Sequence, residues 1–382
     1  MKPWVLRMLS FALKPKIETK LKDLQAHLVE AHGRLRGIPK READYLGHCA
    51  LVSNVGASTR IENAVLTDSE IDWVNTLLSR DGKTTAFEDN KAFILDKLSK
   101  DRERSVEEVV GSRDVLTTVY AKAKELIPLT EVTVRGLHND LLKYHPPAAR
   151  YAGRYKDAPN RVIAKNHDTA EERIVLEPAP PGVVTSMAMA DLIAWYNDTI
   201  HEHPWPLAVV TEFTFRFLAI HPFQDGNGRL GRALFLLALL QSNDKYIADV
   251  TPYIALDRHI EQNKQQYYFV LHQCSDGIFR SDPSGYEYEP LLWFFLKVME
   301  DALYDIDTYR ERYSRLQQLS EAASTVLENF RSNPSTRLAV AELVEKSKLP
   351  RRTVQYALKT LTDQEFIQRL GSGAGSRYQL IF

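Results

Sequence analysis

Twelve consecutive residues, His221-Pro222-Phe223-Gln224-Asp225-Gly226-Asn227-Gly228-Arg229-Leu230-Gly231-Arg232, bring together an imidazole, a carboxylate, two carboxamides, three glycines and two guanidiniums. Glycine lets the backbone turn without steric cost and come close to a ligand. Successive N–H groups in such a turn, running into a helix N-terminus, form a concave site for anions. Arg229 and Arg232 stand three apart, so on a helix both can face one side. The chemistry these residues suit is a polyphosphate cradle with a metal-binding carboxylate and a base beside it. Gly226-x-Gly228-x-x-Gly231 also fits the dinucleotide fingerprint, which needs a strand before it and a βαβ unit around it. Neither surrounds it here. A helix–helix loop with glycines for the turn and charges for solubility would account for a single histidine or arginine, but not for the whole set.

The cradle needs elements to hold it. Leu207 to Ile220 before it and Ala233 to Leu240 after it are too apolar for solvent-facing helices, which places the polar insert at the mouth of a core. The string also fits, at every fixed position, the motif His-Pro-Phe-x-Asp-Gly-Asn-Gly-Arg-x-x-Arg of the Fic (filamentation induced by cAMP) family. The chain resembles Fic proteins that transfer AMP from ATP to a hydroxyl side chain of a target protein. It is less similar to the Doc branch, in which a lysine follows the asparagine.

The resemblance implies a role for each position. His221 is the general base, and an unperturbed imidazole of pKa about 6.5 is largely neutral at pH 7. Asp225 holds Mg²⁺, with Mn²⁺ as the other candidate, against the phosphates of ATP, the substrate. Asn227 and the N–H groups of Gly226 and Gly228 hold the α-phosphate, Arg229 and Arg232 grip the β- and γ-phosphates, and Gly231 completes the loop. Adenylyl transfer to Ser, Thr or Tyr of a target or of the chain itself is expected, with AMP removal by the same site left open.

Upstream, Ser58-Thr59-Arg60-Ile61-Glu62-Asn63 reads as a helix turn that Ser58 or an earlier residue could cap. By itself Glu62 would be a solvated helix carboxylate, since glutamate is seldom buried. The segment resembles the inhibitory pattern Ser/Thr-x-x-x-Glu-Gly/Asn of autoinhibited Fic proteins with an N-terminal inhibitory helix. Glu62 would then occupy Arg232, because carboxylate and phosphate use the same guanidinium fork.

Length and composition fit a soluble, intracellular enzyme. The chain has 382 residues, a formal charge of -1 and 44% hydrophobic residues, an ordinary globular composition with room for two or three domains. Cys49 and Cys274 cannot make a disulfide framework or a cysteine zinc site, and suit a reducing compartment. Trp4 to Leu13 is only faintly signal-like, interrupted by Arg7 with no cleavage site evident. No uncharged run reaches transmembrane length. A cytoplasmic location without membrane association is expected.

Residues 17 to 50 read as helical on the stripe Leu21, Leu24, Leu28 and Ala31. Thr67 or Ser69 reads as the N-cap of the next helix, and the charged region 79 to 115 is broken at Asp81-Gly82. Thr130 to Tyr144 reads as a helix that ends before Pro146. Gly153-Arg154-Tyr155-Lys156 resembles the family's Gly-x-Tyr-Arg. Arg161-Val162-Ile163 and Arg173-Ile174-Val175-Leu176 form a hairpin pattern with Asn166, His167 and Asp168 at its tip. By resemblance this is the flap, where Val162, Ile163 and Ala164 would take the target segment by strand addition. Met187 to Trp195 begins another helix. His201-Glu202-His203 lacks the partners a structural metal site needs and reads as a polar loop.

Asn263, in Asn263-Lys264-x-x-Tyr267-Tyr268, would contact the adenine side by resemblance. Ala255 and Asp257 depart from the usual Tyr and Ser, so transfer of another nucleotide or of a phosphoryl group stays open. Pro290 to Leu319 reads as helical with Trp293, Phe294 and Leu296 inside, and Ser332 to Ser335 as a boundary. Helices at 339–346 and 350–362 followed by two β-prone pieces suggest a winged helix. Residues 333–382 hold eight Lys/Arg against four Asp/Glu, so the remainder carries -5. Arg351 and Arg352 open the second of these helices, where base-reading residues sit in such domains. DNA contact through 335–382 and a homodimer therefore both stay open, as does a DNA-binding regulator whose core only senses nucleotide. The expected fold is mainly α, a Fic-type helical core with a β-hairpin flap. It comprises an N-terminal helical region (1–120) with the inhibitory helix at 58–63, the core (121–300), a linker helix (301–334) and the winged helix-turn-helix domain (335–382).

Overall fold

The structure, a computed structural model, describes residues 9–79, 86–165, 172–332 and 336–381. It is mainly α, as expected. The chain begins with α1 (Pro15–Leu35), α2 (Lys40–Ile61), α3 (Asp68–Leu78), α4 (Phe87–Leu98), α5 (Glu103–Lys122) and α6 (Glu131–Leu142). The hairpin β1 (Val162–Lys165) and β2 (Glu172–Leu176) precedes α7 (Val183–Thr199), α8 (Pro206–Ile220) and α9 (Asn227–Gln241). Next come α10 (Lys245–Val250), α11 (Leu256–Gln262), α12 (Lys264–Ser275), α13 (Glu289–Ala302) and α14 (Asp305–Gln317). The chain closes with α15 (Glu321–Arg331), α16 (Val340–Ser347), α17 (Arg351–Asp363), β3 (Ile367–Leu370) and β4 (Arg377–Leu380).

Two compact units result, residues 1–63 with 111–307 and residues 64–110 with 308–382. This differs from the division read in the sequence, which kept 64–110 with the N-terminal region. Hydrophobic pattern marks a helix as packed but does not say which neighbour it packs on.

In the first unit, α8 and α9 form the centre and are buried on nearly every face. A helix apolar all round can only be an interior one. Gly231 lies where they cross, and a Cβ there would stand 2.9 Å from Leu218 Cδ2. Its missing side chain allows this close helix packing. The stretch read as helical over 17–50 forms two helices, since Gly37 takes a left-handed φ of 81° and Pro39 caps the start of α2. Likewise 290–319 is divided between α13 and α14, and Trp293 is half-buried rather than interior.

The hairpin is antiparallel, with Val162 opposite Leu176, Ile163 opposite Ile174 and Ala164 opposite Arg173. Its expected tip, Asn166 to Asp168, lies outside the described residues, as does the Asp81-Gly82 break. In the second unit Thr67 caps α3 through a reciprocal box with Glu70, as its spacing predicts. Val326, Phe330, Leu343, Val354, Leu358 and Phe366 form a core joining α15, α16 and α17 to the β3–β4 ribbon. No helix among the described residues is long and apolar enough to cross a membrane.

Candidate functional site

The twelve-residue string bridges the end of α8 and the start of α9. His221 caps α8 in the left-handed region, at φ 50°, and Gly226 precedes α9 at φ 79°. A non-glycine residue in that region carries strain, so surrounding bonds must hold it. Three of them come from the segment just before β1. Lys156 N–H donates to Pro222 O at 2.8 Å, Lys156 Nζ to Ile220 O at 3.2 Å, and Asn160 Nδ2 to Phe223 O at 2.8 Å.

A second histidine braces the loop from below. His138 on α6 is buried and stacks on Phe223 with ring centroids 3.7 Å apart. Gly153 N–H donates to its Nδ1 at 2.9 Å, which leaves Nε2 to donate to Asp225 O at 2.9 Å. Burial pushes its pKa down to about 4. The sequence reading passed over His138, Lys156 and Asn160 as site residues. The available signal was a histidine on the apolar face of a helix otherwise lined by Leu137, Leu141 and Leu142.

His221 is half-buried, and its Nδ1 lies 3.3 Å from Leu218 O, the direction in which it donates. That bond leaves Nε2 as the lone-pair nitrogen. Burial first, then the nearby Lys156 charge, lower its pKa to about 4. Burial likewise lowers Lys156, to about 8. The imidazole is therefore neutral at pH 7 and able to accept a proton.

Two carboxamides make bonds within the chain. Asn227 is buried, and its side chain is spent within the loop, accepting from Phe223 N–H at 2.9 Å and donating to Phe223 O at 2.7 Å. It shapes the turn rather than reaching outward as a phosphate ligand. Asn263 donates to His259 O at 2.8 Å, so its amide N–H joins α11 to α12. Nor is the Gly226 N–H open, because it donates to Asp225 Oδ1 at 2.6 Å. The N-terminus of α9 has no side-chain cap, leaving its first-turn N–H groups, including that of Gly228, toward the mouth.

Asp225 is about one-third exposed at the side chain, and its Oδ1 also lies 3.5 Å from Arg229. The other oxygen, Oδ2, faces outward. Among the described residues no cluster of three metal-binding side chains exists, and Asp225 is the carboxylate within the loop itself. That donor set fits Mg²⁺ or Mn²⁺, hard cations that take one or two carboxylates and fill the shell with phosphate and water. His201 and His203 do not converge. The first meets Asn243 and the second accepts from Trp205 N–H.

Arg232 is buried, and α2 takes its Nε and one of its two Nη groups. Its Nε donates to Ser58 Oγ at 2.9 Å, and one Nη donates to Ser58 O at 2.7 Å and Glu62 Oε1 at 3.0 Å. Burial opposes the charge, yet Glu62 and Asp257 outweigh it and keep the guanidinium pKa above its usual value. Asp257 is buried beside it, pushed up to about 6 by burial against the pull of Arg232. A Cβ on Gly228 would collide with Glu62 Oε1, so this carboxylate lies directly over the phosphate-cradle turn.

Ser58 does not cap a helix start. It lies in the last turn of α2, which ends with Glu62 as C-cap and Asn63 at φ 72°. Asparagine tolerates that left-handed position better than other side chains. Helix α2 is fixed to α11 by a bidentate Arg60–Glu261 pair at 2.7 and 2.9 Å. Asn54 adds to this, bonding Ile254 O and Asp257 N–H.

Residues 128–239 match the Fic/DOC family. In fold the chain is similar to a crystal structure of a Fic family protein from Desulfovibrio desulfuricans, with TM-score 0.55 and 22% identity over 98% of both chains. It is also similar to a Fic domain containing signaling protein from Bacteroides thetaiotaomicron, with TM-score 0.52 and 21% identity over 76% of this chain and 98% of that one.

Proposed function

We propose that this chain, which carries a Fic/DOC-family domain across residues 128–239, is a nucleotidyltransferase that moves AMP from ATP to a Ser, Thr or Tyr hydroxyl and is held inactive by Glu62. The observation that carries this reading is the Arg232–Glu62 pair above Gly228. The guanidinium that suits the γ-phosphate is engaged through Nε and one Nη by the chain's own helix, and the carboxylate occupies adjacent space.

Once Glu62 withdraws, the chemistry follows from the loop. A target hydroxyl oxygen attacks the α-phosphorus, its proton passes to His221 Nε2, and the bond from the α-phosphorus to the bridging oxygen breaks. Pyrophosphate leaves, gripped by Arg229 and Arg232. First-turn N–H groups of α9 stabilise the charge that develops on the α-phosphate. Asp225 would hold the divalent cation, which supplies charge neutralisation on the phosphates when bound. The β1–β2 hairpin, through Val162, Ile163 and Ala164, lays the target backbone alongside.

The test is incubation of the chain and of Glu62→Gly with ATP labelled at either the α or the γ position. Label transferred only from the α position, and faster in Glu62→Gly, is expected. Transfer from the γ position means phosphoryl chemistry instead. Equal rates in both proteins reject the inhibitory role of Glu62.

A further inference from the structure

Outside the core unit, cations gather where nothing neutralises them. From Lys346 to Lys359 there are five Lys or Arg and no Asp or Glu. Lys346, Lys348, Arg351, Arg352 and Lys359 are all exposed, and none forms an ion pair among the described residues. Three other arginines of the second unit are committed. Arg315 pairs with Glu311 and Glu365, Arg377 with Glu342, and Arg369 donates to Ser376.

The helix that carries this charge is two-faced. Val354, Ala357, Leu358 and Leu361 of α17 are buried in the local core. Arg351, Arg352, Gln355, Tyr356 and Lys359 occupy the opposite side, with Tyr356 72% exposed. At about 100° per residue these five span a continuous arc of about 140°. The acid on that side, Asp363, comes at the far end, roughly 18 Å from Arg351 at 1.5 Å per residue. A solvated face needs charge but gains nothing from excluding one sign over two turns.

The surrounding topology presents that face. Helix α16 leads to α17 through Lys348, Leu349 and Pro350, with Lys348 left-handed at φ 56° and Leu349 packed into the core. Leu338 bonds Tyr378 in both directions at 2.8 and 2.9 Å, adding a third strand position to the β3–β4 ribbon. The order is helix, bridge, helix, three-residue turn, helix and ribbon.

We propose that residues 336–381 form a winged helix-turn-helix that lays the Arg351–Lys359 face of α17 in the major groove of duplex DNA. The groove admits one α-helix, and the N-terminal turns of the second helix in such a motif meet base edges. Gln355, central on the face, is the side chain suited to bidentate contact with adenine. Arg351, Arg352 and Lys359 neutralise phosphates and release counterions. Tyr356 adds a phenolic donor at the backbone.

The full-length chain is titrated into a fluorescein-labelled mixed-sequence duplex, with anisotropy read between ~50 and ~200 mM salt. Binding should weaken with a log–log slope of about -3 to -4. Arg351→Ala/Arg352→Ala should flatten that slope by about two. Arg351→Lys/Arg352→Lys should keep the slope, and Lys297→Ala, on the core unit, should match the parent. Matching melting curves for all variants show that the fold is intact. No anisotropy change at the lowest salt, or an unchanged slope in the double-alanine variant, overturns the proposal. So does a change of sedimentation mass in that variant without duplex binding, which would make this face a contact between copies. Transfer of α-label by the same preparations is scored separately, so the two readings fail independently.

Discussion

Arg232 in the core unit and Arg351 in the C-terminal unit place the same guanidinium in opposite surroundings. Arg232 is buried and receives Ser58 and Glu62 as partners. Arg351 is exposed and meets no carboxylate. A buried guanidinium left without a partner is costly, and α2 supplies that partner; under the proposed function, ATP would have to replace it. An exposed one pays no such cost, is always ready, and contributes little per contact, so it acts through number and geometry. On the proposed readings the first arrangement is a switch and the second is a landing surface.

The comparison can be broken at its strongest point first. His221→Ala, made in Glu62→Gly so that the signal is high, should lower transfer of α-label by about 10²–10⁴-fold, the usual worth of a positioned base. A change below about fivefold would remove His221 from that role. Glu62→Gly alone should raise transfer by about 10- to 100-fold, from ~1.5–3 kcal/mol for a bond between charged groups. Arg60→Ala tests whether α2 must be tied down for Glu62 to act. The Arg60–Glu261 pair is about a quarter exposed, so with ~1 kcal/mol at stake a rise of about fivefold is expected. A rate equal to the parent's would show that Asn54 and Ser58 hold the helix unaided.

The smallest effect concerns pH. His138 and His221 are both held near 4, against 6.5 for free imidazole. Between those values the unfolded chain takes up protons that the folded chain refuses, so stability is lost as pH falls from about 6.5 to about 4. Melting temperature measured over that interval should decline, and His138→Gln should make the decline shallower. Melting that is flat across it would show that these imidazoles titrate normally.

Much of the site was legible because its residues are contiguous. His221, Asp225, Gly228, Arg229 and Arg232 lie within twelve positions, and the apolar runs on each side announce two interior helices. The pattern at Ser58 and Glu62 was readable only through resemblance, since 170 residues separate Glu62 from Arg232. Locally it read as a helix turn that Ser58 or an earlier residue could cap, and the turn proved to be the last of α2, because a Ser followed by one acid suits either end of a helix. Gly231 and Asn227 show the same limit. Both sit in the twelve-residue string, where one allows a close helix contact and the other bonds the loop to itself. His138, Lys156 and Asn160 gave little sign of a site role, because they brace the loop mainly through main-chain atoms, which every residue supplies.

The sequence by itself determined the helical periodicity, the turn-forming glycines and the inventory of reactive groups, since these depend on neighbours a few residues apart. Which nitrogen of His221 stays open, which oxygen of Asp225 faces outward and which carboxylate occupies Arg232 were decided only in the folded chain. Each depends on hydrogen bonds, and on burial, between segments that the chain brings together across long stretches, and a linear pattern carries no record of those distances.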